Sequence, residues 1–338
     1  MFSRARVSQI LMVVMVLVTV LLLTGTQSAA EGSLSGAAPK IYWTDRAEGS
    51  IRRANLDGSD VEKLLQIDPY RNPRALALDM RTETVYFISD EAFDARLIRQ
   101  MDLDGNNLQD LILNWQMHDP NTLAVDRQRN QLVWSDSGRD VIGRANLDGS
   151  ELAVHLGPGP DDGSDMALDK LGGKLYWTEA WAIYRSNLDG SDTQRLESRV
   201  PGLLPGVSVD RAGSSSVIPT GIAVDGAGGK YYYTGSAGSM GTKYSIARAN
   251  LDGSGAETII PQSDGRSAGL ALDLVARKLY WTVGRDSPQI KRANLDGSGV
   301  ETVISGLSAP HGLDLDIVHG KLYWADWVEQ SILRANLD

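Results

Sequence analysis

With 338 residues, no cysteine and a formal net charge of −10, the chain can build one large all-β domain or two smaller ones. Disulfide frameworks, thiolate zinc sites and a lipid-modified N-terminal cysteine are excluded, and so acidic a balance argues against nucleic acid as a partner. The 35 glycines, free of low-complexity runs, point to many tight turns and short strands.

In chain order, residues 1–30 read as a secretory signal peptide. Arg4 and Arg6 precede an apolar run over 10–23 that contains one Thr, and the small residues Ser28 and Ala30 lead to an expected mature start at Glu31. The run is short of the ~20 residues a bilayer span needs. We therefore expect cleavage, no stable membrane span afterwards, and a secreted, extracellular or periplasmic protein. Loss of the two arginines takes the net charge to −12. Residues 31–39 read as a short linker and 40–338 as the folded domain.

From residue 40 onward three segments recur in fixed order. One is an apolar strand ending in Asp: Asp79, Asp126, Asp169, Asp225, Asp273 and Asp316, spaced 43 to 56 residues apart. Such a period belongs to propeller blades. The second is Lys-Leu-Tyr-Trp-Thr or a variant, centred on Trp43, Phe87, Trp134, Trp177, Tyr233, Trp281 and Trp324. Its aromatic and β-branched residues favour strand. The third is Ile-x-Arg-Ala-Asn-Leu-Asp-Gly-Ser, with Asn55, Asn146, Asn187, Asn250, Asn294 and Asn336, and Asp102 in the second copy. Its Asp-Gly is a hairpin-turn signal. A more exposed strand follows, as at Val61 to Leu65, so each unit should give four antiparallel strands. One such sheet cannot bury both faces, and radial stacking of several gives a propeller.

Tyr42-Trp43-Thr44-Asp45, followed by Ile51-Arg52-Arg53-Ala54-Asn55-Leu56-Asp57-Gly58, resembles the YWTD repeat, the low-density lipoprotein receptor class B repeat. The resemblance extends over about residues 40 to 338 in seven imperfect copies. It implies an all-β, six-bladed propeller, whereas the count here is seven Trp-type strands and six apolar-Asp strands, with the last unit incomplete. Either 310–316 completes the first blade and closes a six-bladed ring, or seven units line up. We expect seven units. The motif Asp is replaced in three copies, by Glu179, Gly235 and Val283, which marks it as a structural contact within blades.

Residues that carry chemistry are sparse. Asp102-Leu103-Asp104-Gly105-Asn106 lacks the ligand spacing of a calcium loop and reads as a hairpin turn. The recurring Arg53, Arg144, Arg185, Arg248, Arg292 and Arg334, with Gln100 in the second copy, read as inter-strand or inter-blade pairs. His118, His155, His311 and His319 show no metal-ligand spacing. The positions where inner strands begin, Arg74, Asn121, Ser164, Thr220, Ala268 and His311, form a mixed ring with no carboxylate cluster. We therefore assign no catalytic residue, no metal site and no cofactor.

The aromatics that break the repeat, Phe93, Trp115, Trp181 and Trp327, fall in connections that emerge at the channel mouth. So does the long link from Glu197 to Pro219. Aromatics are enriched at binding hot spots. With His311, Arg74 and Asn121 they form the candidate binding set. What the resemblance implies is a binding or scaffolding module for a protein, peptide or glycan ligand, since YWTD domains act in receptors and matrix proteins. This chain lacks the cysteine-rich modules that flank those propellers. The alternative is a metal-dependent lactone hydrolase similar to the gluconolactonase family, which would draw on Asn121, Asp165, Asp314 and His311.

Overall fold

The computed structural model describes residues 40–45, 48–67, 73–90, 96–114, 117–139, 141–156, 165–179, 182–197, 218–237, 243–284, 287–329 and 331–337. The signal peptide and linker lie outside them, as does 198–217 of the long link.

Seven antiparallel sheets follow one another along the chain, and within each the strands pair in sequence order from the centre of the ring outward. The blades span 40–66, 73–114, 120–156, 166–197, 218–264, 266–305 and 310–336. The middle five are four-stranded. The first and last differ from the four-strand expectation. Among the described residues the first sheet has no inner strand and the last has no outer one. Pro310–Asp316 pairs with Lys321–Asp326 inside the seventh sheet, so it does not complete the first blade and the six-bladed closure is not formed.

The second strand of each blade is sandwiched between neighbouring blades, which is why its residues are apolar on both faces. Trp134, Trp177 and Trp281 are at most 1% exposed. Trp281 packs with Tyr232, Tyr244 and Ile246 of the preceding blade and donates its indole N–H to the Tyr244 hydroxyl at 3.2 Å. The third motif letter ties a second strand to the inner strand of the next blade. Thr44 donates to the Arg74 carbonyl at 3.1 Å and Thr282 to the His311 carbonyl at 2.9 Å, each in the following blade.

The Asn-Leu-Asp-Gly turn is the other joint. Its glycine has positive φ, +85° at Gly297, and a Cβ there would collide with the Ile259 carbonyl of the preceding blade, so no larger residue fits. At five of the seven joints the Leu carbonyl of the turn receives the motif Arg of the blade before. Arg53 donates to Leu103 O at 2.9 Å, Arg185 to Leu251 O at 2.6 Å, Arg248 to Leu295 O at 3.0 Å and Arg292 to Leu337 O. Tyr hydroxyls reinforce them, as from Tyr176 to Leu251 O at 3.0 Å. The same pair closes the ring: Arg334 and Tyr323 of the seventh blade donate to Leu56 O of the first, at 2.7 and 3.1 Å. The repeated arginines are thus inter-blade clamps, as their spacing implied. Asp104 of the calcium-like segment lies in such a turn and pairs with Arg53.

The Asp that ends each inner strand is buried and ties the turn behind it. Asp273, for example, accepts the amides of Val275 and Ala276 at 2.9 and 2.8 Å. A carboxylate held by two backbone N–H groups is satisfied without a cation.

Candidate functional site

Inner strands begin, second strands end and third strands begin on one face of the ring, at the channel mouth. The inter-blade links cross this face, and the motif turns occupy the other. Of the candidate binding residues, Arg74, His311 and Trp327 are described, and they lie on this face. Trp115, Trp181 and Phe93 lie outside the described residues, and of Asn121 only the backbone, in the strand Pro120–Asp126, is described.

At the seventh blade the motif Asp organises the surface. Asp326 is 2% exposed. It accepts the amides of Ser308 and Ala309 in the incoming link, at 3.2 and 2.9 Å, and those of Val328 and Glu329, both at 3.1 Å. One carboxylate thereby pins two loops, and the Ser308 hydroxyl adds a bond to Glu329 at 2.6 Å. The Trp327 N–H donates to the Ala309 carbonyl at 3.0 Å. With its backbone fixed, the Trp327 side chain stands outward, 39% exposed, next to Val328 at 68%. The His311 ring meets Trp327 edge-on, at 6.1 Å between centroids and 72° between planes. The structure therefore brings His311 and Trp327 together at the start of the seventh inner strand, on a preorganised ridge.

Asp136 repeats the arrangement in the third blade, accepting the amides of His118 and Asp119 at 2.7 and 2.8 Å. Asp90, in the second, is used differently. It pairs with Arg74 at 3.0 Å and Arg96 at 2.9 Å, while Arg74 also reaches Asp119 of the next blade. Arg74 is thus committed to a charge network that joins two blades, with its side chain 14% exposed.

Deeper along the inner strands sit two acids. Asp165 accepts the amides of Met166 and of Ile222 in the next blade, at 2.9 and 3.0 Å, and its burial raises its pKa. Asp314 accepts the Leu315 amide at 2.8 Å. Burial, with Asp316 nearby as a second negative charge, pushes Asp314 up to about 7. Among the described residues no three His, Asp or Glu side chains converge to hold a metal. Sequence reasoning passed over Glu329, Val328 and Asp90. Their signal was present only in the pairing of links from different blades, which a linear pattern does not show.

The geometry can be set beside known proteins. A family model described as low-density lipoprotein receptor repeat class B matches residues 39–80. The vitellogenin receptor Yl of Drosophila melanogaster is 34% identical over 146 residues, 41% of this chain and 7% of the receptor. The human low-density lipoprotein receptor-related protein 5-like protein is 30% identical over 167 residues, 48% of this chain and 64% of that protein. The mouse low-density lipoprotein receptor-related protein 5 is 27% identical over 162 residues, covering 46% of this chain and 10% of the relative. The chain thus spans less than two thirds of the length of each.

Among solved structures, a chain of a nidogen/laminin complex superposes with a TM-score of 0.50 at 18% identity, over 88% of this chain and 90% of that one. A GH74 xyloglucanase from Xanthomonas campestris superposes with a TM-score of 0.67 at 14% identity, over 89% and 51%. At such identities these likenesses concern the fold alone. The repeated Tyr-Trp-Thr strands, the Asn-Leu-Asp-Gly turns that join blade to blade, and the match of the first copy to the family model lead to one conclusion: the chain is a β-propeller that carries repeats of the YWTD, or low-density lipoprotein receptor class B, type.

Proposed function

We propose that this chain is an exported, non-catalytic binding module that engages a protein or peptide ligand on the channel-mouth face. The observation that carries the reading is the Trp327–Val328 ridge beside His311, held outward by Asp326. An aromatic whose backbone is already fixed loses little freedom when a ligand covers it. The relatives support the same class, since they are named as receptors. Of the acids that a catalytic reading would draw on, Asp165 accepts two backbone amides and Asp314 one.

The test is capture of ligands from the exported fraction by the full chain, with variants matched by melting temperature. Trp327→Ala is expected to weaken capture at least five-fold, the ~1 kcal/mol typical of a contributing interface aromatic. Val275→Asp, on the opposite face where Val275 is 84% exposed, is expected to leave capture unchanged. Capture lost with Val275→Asp and kept with Trp327→Ala would move the binding face to the other side of the ring and overturn the proposal.

A further inference from the structure

Two joints lack the arginine clamp: the second blade, with Gln100, keeps the Tyr86 hydroxyl on Leu147 O at 3.3 Å, and the third blade keeps neither donor among the described residues. In the third blade the motif Arg is Arg144, and its cross-strand neighbours are Val133 on one side and Ala153 on the other. Elsewhere the first place is Tyr, as in Tyr280 opposite Arg292, and the second is Glu in three blades, as in Glu301, which binds Arg292 Nε at 2.6 Å. Glu62 and Glu257 do the same for Arg53 and Arg248, each at 2.7 Å. In the fourth blade Gln194 stands opposite Arg185 and binds its Nη2 at 2.7 Å. Both anchors are missing from the third blade. The buried Nε of Arg144 has no hydrogen-bond partner. Among the described residues no donor from this blade takes up the Leu188 carbonyl, the position that receives Arg, Tyr or both at the other joints.

The joint opens as a surface cleft of about 560 Å³ between the third and fourth blades, on the face away from the channel-mouth links. Arg144 and Arg129 line it, with Gln131, Asn187 and Leu188. Arg129 pairs with Asp126 at 3.0 Å and lies so close over Gly173 that a Cβ there would collide with its guanidinium. Asp189 is also at the rim, but its carboxylate is turned into its own loop, accepting the Ser191 amide at 2.9 Å. What remains is an unanchored guanidinium, a second cation behind it, and neutral amide and carbonyl groups around them.

We propose that this cleft binds a hydroxylated carboxylate, with Arg144 taking the carboxylate in the place that a glutamate fills in other blades. A guanidinium presents paired N–H donors that match a carboxylate's two oxygens. The side-chain amide of Gln131 and the Leu188 carbonyl suit hydroxyl groups, which both donate and accept, while the Asn187 amide is held by Lys174 and Ser191. The volume exceeds what a single small anion needs and accommodates a ligand the size of one sugar acid. Two sources share this chemistry, a uronic acid residue and a free hydroxy acid.

The experiment is titration calorimetry on the full chain with galacturonate, tartrate and neutral galactose, at up to about 10 mM so that a Kd near ~1 mM is visible. Saturable binding of galacturonate or tartrate, and none of galactose, is expected. Tighter galacturonate would assign the sugar acid and tighter tartrate the free hydroxy acid. Arg144→Gln and, separately, Ala153→Glu should each weaken binding at least ten-fold. The second variant installs the repeat's own ion pair, so its melting temperature should hold or rise, which separates loss of the site from loss of the fold. The proposal is overturned if neither acid binds, if galactose binds as well as galacturonate, or if a folded Ala153→Glu protein binds like the wild type.

Discussion

Asp314 stands opposite Tyr323, where the other inner strands place Ala77, Ala124, Ala167, Ala223 and Ala271. One acid among alanines in a crowded inner layer has a stability consequence with a definite sign. Its pKa is raised from 3.8 to about 7 by burial, so between roughly pH 4 and 7 the folded state keeps a proton that the unfolded state has released. Stability therefore falls as pH rises through that window. Asp314→Asn, which retains an acceptor for the Leu315 amide, should match the wild type near pH 4 and exceed it at pH 8 by up to ~4 kcal/mol. Denaturant melts at the two pH values check this, and equal gains at both would refute it. At this scale the sequence is a partial guide. It singled out Arg74, but not that Asp90 and Asp119 claim its guanidinium, because the three residues come from separate strands and links. It grouped Arg144 with the other arginines, and only register shows that Val133 and Ala153 flank it.

The second strand of each blade was the most legible element. Lys-Leu-Tyr-Trp-Thr has no polar face, and a strand buried on both sides is the structure that such a run supports. Trp281→Ala should cost roughly 3–5 kcal/mol, by lost burial and by the cavity left between the fifth and sixth blades. Thermal unfolding measures it, and an unchanged melting temperature would contradict the packing described. The turns were equally readable, since Asp-Gly dictates the hairpin and the clamping carbonyl follows from its geometry. The first and last blades were harder. Whether 310–316 pairs forward with 321–326 or back onto the first blade depends on ring curvature, and no local pattern encodes that.

At the scale of the ring, the joint between the seventh and first blades combines, among the described residues, a sheet without an inner strand and a sheet without an outer one. It holds through the Arg334 and Tyr323 bonds to Leu56 and the contact of Ile41 with Tyr323. This joint should open first. Hydrogen exchange is expected to be fastest, among buried strands, in Lys40–Asp45, whose inward edge has no neighbouring strand among the described residues. Slower exchange there than in Lys174–Glu179 would show the joint to be as firm as the others. The clamp has a further property. It is directional, a guanidinium on one side and a carbonyl on the other, so a blade can be at once a giver and a receiver. Head-to-tail contacts of this kind have no chemical stopping rule: they make a closed ring when the rotation per step divides the circle and an open spiral when it does not. The number of blades is therefore set by the wedge angle of the packed aromatic strands, and the arginine only confirms a neighbour that angle has already delivered. A change in blade count needs no new interface, only a slight change in how wide each Trp-bearing layer is.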